Sequence, residues 1–240
     1  SAREPYGARA VVYTLLLDPN ARIRVKQLEH LEMSGDRAAF ELTKDLYPAA
    51  EKLDPALRLP LLNIAIGSLR QMSMTQYQGF RRNMQALIEA DDRLGFFEWT
   101  LSRIVHHSLG PQYGGRVPKQ SGSKELKSVR REATLLLSAI AWGGAGGRAE
   151  KAGQAFEAGA RQLGMTDLRM LELKDVRLRE LDAALPRFER LRGGAKRRLI
   201  TALAGAALAD AEVRPGEAEL LRAVCAALDC PVPPLVPGEG

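Results

Sequence analysis

Apolar residues recur along this chain at the three- and four-residue spacings of amphipathic helices. The clearest stripe comprises Tyr77, Phe80, Met84, Leu87 and Ile88. Similar patterns, bounded by caps and breakers, predict a series of helices. Their ranges are 6–17, 20–33, 37–46, 56–71, 74–88, 97–109, 126–142, 149–163, 177–191, 195–209 and 215–228. The predicted fold class is all-α.

Local signals indicate where several of these helices begin and how they connect. Asp36 and Ser73 are predicted N-caps, and Asp54 followed by Pro55 gives the same signal. The helix after Pro55 has apolar residues on several sides, which predicts a central position. The glycine-rich stretch 143–147 has no Lys-Ser or Lys-Thr after it and no strand before it. An inter-helix loop is therefore favoured over a phosphate-binding loop.

Two stretches of the chain repeat one plan, a helix, an acidic turn and a second helix. When residues 89–109 are laid over residues 208–228, an offset of 119, seven of 21 positions are identical. The identical pairs are Ala90/Ala209, Asp91/Asp210, Glu98/Glu217, Leu101/Leu220, Arg103/Arg222, Val105/Val224 and Leu109/Leu228. This duplication predicts a two-lobed multi-helix bundle.

The predicted lobes follow from the positions of the repeats. An N-terminal helical lobe spans residues 1–112 and contains the first repeat at 74–109. A C-terminal helical lobe spans residues 125–240 and contains the second repeat at 194–229. Residues 113–124 are rich in Gly, Pro, Ser, Gln and basic residues and lack periodicity. They are predicted to form an exposed loop between the lobes.

The composition narrows the class of protein. Aromatic residues make up only 5% of the 240 residues, whereas Ala, Leu and Arg abound, as in many helical proteins. The longest apolar run, about residues 199–209, is much shorter than the roughly 20 residues that a membrane span requires. The chain begins at Ser1 without an initiator Met or a signal peptide, so we expect a piece of a longer protein.

The net charge of +6 comes from scattered basic residues. Their densest run consists of Arg187, Arg190, Arg192, Lys196, Arg197 and Arg198. No aromatic residues interleave with this run and no recognition motif is evident, so a solvated helix face is favoured and no nucleic acid partner is expected. An anionic membrane surface is a further candidate partner, because each juxtamembrane basic residue is attracted by about 1 kcal/mol.

Each acidic turn has an interpretation that requires no ligand. Pro215 at the first helical position makes Glu217 the third residue, where its carboxylate can accept from the cap residue's backbone N–H. Glu98 takes the corresponding position in the first copy. Asp91 and Asp210 would then bind turn amides and fix the angle between the helices.

A second interpretation is a divalent-cation site, for example for calcium. Hard cations prefer oxygen ligands, and both turns are rich in carboxylates. The candidate ligands are Asp91, Glu98, Asp210 and Glu217, with Asp92 and Glu212 beside them. Glu98 follows Asp91 by only seven positions. The turn therefore differs from an EF-hand, whose loop needs about twelve residues and a Gly at the sixth.

The second acidic turn carries the pattern Ala-Asp-x-x-Val-x-Pro-x-Glu-x-x-Leu-Leu. Its members are Ala209, Asp210, Val213, Pro215, Glu217, Leu220 and Leu221. This pattern resembles the signature of the tellurite-resistance TerB-like family, whose members are compact helical modules with acidic, metal-associated turns. That family usually has Gly after the Asp, where this chain has Asp92 and Ala211.

Three further segments carry a narrower resemblance. They read Ala-Val-Val-Tyr-Thr-Leu-Leu-Leu-Asp at 10–18, Leu-Arg-Gln-Met-Ser at 69–73 and Leu-Asp-Cys-Pro-Val-Pro-Pro at 228–234. Together they resemble the cytoplasmic C-terminal region of bacterial HtpX-like membrane zinc metallopeptidases, over nearly the full chain. The resemblance implies a non-catalytic regulatory or protein-interaction module on the cytoplasmic side of the inner membrane. Its partners would be other proteins or the protease domain of the parent chain.

The residues that bind zinc in that family do not carry over. They lie in an H-E-x-x-H helix plus a downstream Glu, whereas this chain has only His30, His106 and His107 and no such motif. Cys225 and Cys230 lack a recognisable nucleophile signature and are expected to be free thiols. We therefore expect no catalysis and no cofactor in this chain, with zinc only in the absent protease domain. The alternative function is a stand-alone TerB-like divalent-cation-binding stress-response sensor.

Overall fold

The computed structural model describes residues 5–90, 96–115, 122–210 and 213–233. These residues form eleven α-helices and no β-strand, which confirms the all-α class. In the part of the chain that is described, no helix has both the length and the apolar character needed to cross a bilayer.

The chain divides into two compact units, Ser1–Arg116 and Val117–Gly240. The helices of the first unit are α1 (Pro5–Leu16), α2 (Ala21–Met33), α3 (Arg37–Ala50), α4 (Pro55–Leu69), α5 (Met74–Ile88) and α6 (Phe96–Leu109). Those of the second unit are α7 (Arg130–Ala145), α8 (Ala149–Leu163), α9 (Leu178–Glu189), α10 (Gly193–Ala207) and α11 (Pro215–Ala227). Short 3-10 helices lie at Gly110–Tyr113, Leu126–Val129 and Leu173–Asp175.

The predicted caps are confirmed, and they explain why these helices begin where they do. The side chains of Asp36 and Asp54 each accept a hydrogen bond from a backbone N–H in the first turn of the following helix. Ser73 and Gln76 form a reciprocal capping box, with donor–acceptor distances of 2.8 and 3.2 Å. Each of these contacts satisfies a backbone group that the helix itself leaves without a partner.

The first unit is built around α1 rather than α4. Every residue in 7–14 is buried, and α1 packs against α3, α4 and α5. Gly7, Ala8 and Ala10 keep its surface narrow, so that three helices can approach it closely. The predicted central position of α4 is wrong, because Leu57 is 52% and Ile64 61% exposed.

A buried amide ties three helices of the first unit together. Gln27 on α2 is 3% exposed and donates to the carbonyls of Leu16 and Leu87, at 2.9 and 2.8 Å. Its Oε1 accepts from the backbone N–H of Asp18 at 2.8 Å. Since Leu16 ends α1 and Leu87 lies near the end of α5, this one side chain satisfies polar groups on both helices.

The second unit is built around α7, which packs against α8, α9, α10 and α11. The closest helix pair in it is α8 with α10. A Cβ placed on Gly159 of α8 would lie 3.0 Å from the Ala202 carbonyl oxygen and 3.0 Å from the Ala206 Cβ. Glycine is therefore required there for the two backbones to approach this closely.

The glycine-rich stretch is mostly helical. Gly143 and Gly144 belong to α7, which continues to Ala145, and only Gly146 and Gly147 leave the helix, with φ of 56° and 80°. The predicted inter-helix loop over 143–147 is therefore wrong for its first three residues. The α8 helix begins two residues later at Ala149.

The described residues of the predicted exposed loop are anchored at both ends, each within its own unit. In the first unit the Tyr113 hydroxyl donates to the Met72 carbonyl at 2.7 Å, and its ring stacks on Tyr77 with centroids 4.0 Å apart. In the second unit Lys124 exchanges backbone hydrogen bonds with the chain at 190–192, both of 3.0 Å.

Candidate functional site

Both copies of the repeat have matching helix boundaries in the structure. In the first copy α5 ends at Ile88 and α6 begins at Phe96, and in the second α10 ends at Ala207 and α11 begins at Pro215. Each boundary in the second copy follows its counterpart by 119 residues, and α5 and α10 also begin 119 residues apart. The duplicated sequence thus has a duplicated arrangement of helices along the chain.

Glu217 takes the position that its sequence context predicts. It is the third residue of α11, after Pro215, and its Oε2 accepts a hydrogen bond from the backbone N–H of Arg214 at 2.9 Å. The predicted capping role is confirmed for this copy. Glu98, its counterpart, is likewise the third residue of α6 and is half-buried.

The Glu217 carboxylate is buried against a glycine of the central helix. Glu217 is 3% exposed, and a Cβ placed on Gly144 would overlap its carboxylate oxygens. The glycine in α7 is therefore what leaves room for the carboxylate. This contact joins the acidic turn to the core of the second unit.

Burial determines the protonation of this group. The pKa of Glu217 is raised to about 7, chiefly by loss of hydration and also by the negative charge of Asp210. The hydrogen bond from the backbone N–H of Arg214 and the charge of its guanidinium act in the opposite direction. Glu217 is therefore partly protonated near neutral pH.

Asp210 and Glu217, two of the predicted metal ligands, line the same small cavity together with Lys151 and Gln154. Its volume is about 10 Å³, close to the minimum for a single water. The Lys151 Nζ lies 3.6 Å from the Asp210 Oδ2. A lysine therefore contributes the positive charge beside Asp210, and the space has room for about one water molecule.

Only some residues of the predicted metal site are among those that the structure describes. Asp91 lies outside the described residues, as do Asp92 and Glu212. Within the described ranges, no group of three or more His, Cys, Asp or Glu side chains is arranged to hold a metal ion. The four-carboxylate metal site remains a prediction.

The repeat of the first unit also contains a groove, which the sequence interpretation missed. It has a volume of about 660 Å³ and lies between α5 and α6, closed at one end by Tyr113. Its charged and histidine lining residues are Arg81, Arg82, Glu89, Arg103 and His106. Below this polar rim lie buried Tyr77, Met84 and Val105.

The rim of this α5–α6 groove is positively charged. Arg81 and Arg82 are exposed, and neither forms an ion pair with any residue that the structure describes. Partial burial and the positive charges of Arg103 and Arg81 lower the pKa of His106. The part of this shift that comes from the two arginines reflects a positive potential, which favours an anionic occupant.

The second copy closes only part of the corresponding space by helix packing. At the offset of 119, Arg81, Gln85 and His106 correspond to Ile200, Ala204 and Cys225. The three residues of the second copy are buried, and α10 contacts α11. The sequence signal for the groove was that the first copy has polar side chains at three positions where the second copy has apolar ones.

A cavity of similar volume, about 640 Å³, lies in the second copy at the start of α10. Its lining residues Ile200, Thr201 and Val232 are the counterparts of Arg81, Arg82 and Tyr113. The chain after α11, 228–233, forms its other wall. Lys196 is buried there at 3% exposure and donates to the Leu228 carbonyl at 3.4 Å. The basic run therefore has one buried member, while Arg187 and Arg192 are exposed and pair with carboxylates of the same unit.

His30 contacts a neighbouring amide, and neither cysteine has the properties of a nucleophile. His30 Nε2 lies 3.2 Å from the Asn83 Oδ1. Cys225 and Cys230 are free thiols, as predicted. Burial raises the pKa of both thiols, that of Cys225 to about 12, so they are protonated at neutral pH and are poor nucleophiles.

No family model, no curated protein and no solved structure matches this chain. The resemblances to TerB-like modules and to the C-terminal region of HtpX-like peptidases are therefore untested and remain predictions.

Proposed function

We propose that this chain is a non-catalytic protein-interaction module, and that the α5–α6 groove is its docking surface. The observation that carries the proposal is a groove with the exposed arginines Arg81 and Arg82 on its rim, at positions where the second copy has other side chains. Charges on the rim of a groove select a partner of complementary charge.

The resemblance to HtpX-like peptidases gives the proposal its context. The module would regulate a membrane zinc metalloendopeptidase from the cytoplasmic side, by docking a protein partner or the protease domain of the parent chain. An anionic membrane surface is the competing partner for the same arginines. The zinc of the reaction would belong to the protease domain.

Site-specific photo-crosslinking in bacterial cells tests this function. A photoreactive residue replaces Gln85, which lines the groove, or Glu29, an exposed residue of α2, as the matched control. We expect a discrete crosslinked protein from position 85 only, and binding of that protein when purified. Equal crosslinking from both positions, or none from the groove, would contradict the proposal.

The alternative is a divalent-cation sensor, and the cavity shared by Asp210 and Glu217 is the observation in its favour. Thermal unfolding with calcium tests it, beside a variant with Ala at Asp91, Glu98, Asp210 and Glu217. A cation at a hundred times its dissociation constant adds about 2.7 kcal/mol to the free energy of unfolding. A calcium-dependent stabilisation of the wild type that the variant lacks would replace the docking function by the sensor.

A further inference from the structure

One side of helix α4 is both apolar and exposed. The helix packs against α1 and α6, and the side that faces away from them is open to solvent. Two large apolar side chains on that side, Leu57 and Ile64, are 52% and 61% exposed. The exposed positions along the helix, here called the α4 outer face, are Ala56, Leu57, Pro60, Asn63, Ile64 and Gly67.

The α4 outer face carries no charge. The one charged residue of α4 is Arg58, and its guanidinium lies over the ring of Phe97 on α6, 5.1 Å from the ring centre. Residues 59–69 contain no Asp, Glu, Lys or Arg. Charged residues are depleted at the core of protein interfaces, whereas they abound on solvated surfaces. The composition of the α4 outer face is therefore that of an interface core.

The sequence pattern of α4 also favours burial of its outer side. Its apolar residues occur on several sides, which is typical of a helix that is buried all round. Within the first unit only the side formed by residues such as Leu59, Leu62 and Ile66 is buried. A contiguous exposed apolar patch marks a contact with another molecule. A second layer on the α4 outer face would complete the burial that the sequence predicts.

The spacing of the outer face suits pairing with its own copy. Leu57, Pro60, Ile64 and Gly67 follow one another at intervals of three and four residues, as in the contact seam of two paired helices. When two copies pair antiparallel about the midpoint of this set, Leu57 faces Gly67 of the other copy and Pro60 faces Ile64. Apart from the helix's own backbone, the described chain places nothing within 4 Å of a Cβ built on Gly67. The glycine therefore leaves room for the leucine.

The polar residue of the outer face fits the same pairing. Antiparallel pairing about this midpoint brings Asn63 of one copy beside Asn63 of the other. A carboxamide has both donors and an acceptor, so two asparagines can bond to each other across a two-fold axis. A two-fold interface needs this kind of self-complementarity, because each copy presents the same surface to the other.

We infer that the α4 outer face forms a two-fold contact between two copies of this chain. The inference goes beyond the docking function, since it concerns another helix and does not depend on the α5–α6 groove. From position 56 to position 67 the face is about 17 Å long. An interface of this size belongs to the weak, reversible class, so the dimer should depend on protein concentration.

Analytical ultracentrifugation of the intact chain, from about 1 µM to about 1 mM, tests the inference. We expect a shift from monomer to dimer as the concentration rises. Ile64→Glu should weaken the dimer by ~100-fold or more, because a two-fold interface receives the buried charge twice. The control is Val25→Glu on α2, where the side chain is 53% exposed, and it should dimerise as the wild type does.

A second variant separates loss of the dimer from loss of the fold. Gly67→Leu places a side chain in open space on a helix, and leucine favours the helix more than glycine does. The new side chain takes the room that Leu57 of the other copy requires, so the dimer should weaken by ~10-fold or more. Urea denaturation at low protein concentration should show that the Gly67→Leu monomer is at least as stable as the wild type.

Three outcomes would overturn the inference. They are a wild type that stays monomeric over the whole concentration range, a dimer that neither α4 variant weakens, and Ile64-dependent binding of the monomer to phosphatidylcholine vesicles. If the dimer forms through α4 but photo-crosslinking at Gln85 finds no partner, the inference stands and the docking function fails. The converse result would leave the docking function and remove the dimer.

Discussion

In the second copy of the repeat α10 packs on α11 and Glu217 is buried against α7, whereas in the first copy α5 and α6 line opposite sides of a groove of about 660 Å³. Three of the four helix boundaries correspond at an offset of 119, and α11 is one residue shorter than α6, so the difference arises mainly from side chains. A duplicated unit can therefore keep its layout while one copy buries positions that the other exposes.

The largest expected effect concerns the second copy of the repeat, in which α10 packs on α11. Gly144→Ala should lower the free energy of unfolding by up to about 3 kcal/mol, because the added Cβ forces the Glu217 carboxylate out of its place. Urea denaturation measures the change. Gly153→Ala on α8 is the control, since no atom lies within 4 Å of its added Cβ, and it should stabilise the chain by about 0.5–1 kcal/mol. Equal effects of the two changes would show that Glu217 does not pack on Gly144.

The next effect is the pH dependence of the free energy of unfolding that Glu217 in the second copy produces. The folded-state pKa of Glu217, about 7, lies above its ordinary value of 4.5, so the folded state holds more protons between these pH values. Protonation of Glu217 therefore contributes up to about 3 kcal/mol to the free energy of unfolding. This contribution is fully present below about pH 4.5 and is lost as pH rises through 7. Denaturation of Glu217→Gln across this range should lack that loss, so the variant should exceed the wild type in stability at pH 8.

The Asp210→Asn variant sharpens this test, because it removes the negative neighbour of Glu217. Its loss of stability should begin at lower pH than in the wild type, since the pKa of Glu217 falls. If Glu217→Gln were instead less stable than the wild type at pH 8, the ionised carboxylate would have a compensating positive partner. A bound cation is one such partner, and that result would favour the sensor.

A smaller effect concerns the open copy. Tyr113→Phe removes the hydrogen bond to the Met72 carbonyl but keeps the stack on Tyr77, and should cost about 1 kcal/mol. Tyr113→Val places there the residue that the second copy has at position 232, and should cost more because the stack is also lost. Thermal unfolding of the two variants separates the contributions. Equal losses would mean that the stack contributes little.

Local sequence signals gave most helix boundaries, because caps and prolines act within a turn of the residue that they control. Ser73 with Gln76, and Pro215 with Glu217, are examples. The contact of Glu217 with Gly144 could not be predicted, since it joins residues far apart in the chain. The groove was also missed, because it depends on the separation of two helices. The unlike pairs at the repeat offset, such as Arg81 with Ile200, were the one available signal.

The most direct test of the open and closed copies is to give the first copy the side chains of the second. The triple variant Arg81→Ile, Gln85→Ala, His106→Cys carries the residues found at 200, 204 and 225. The measurement is its affinity for the partner crosslinked at position 85, beside its free energy of unfolding. We predict a stable variant in which α5 and α6 pack together and binding is lost. A folded variant that binds as tightly as the wild type would contradict the claim that the open groove is the docking surface.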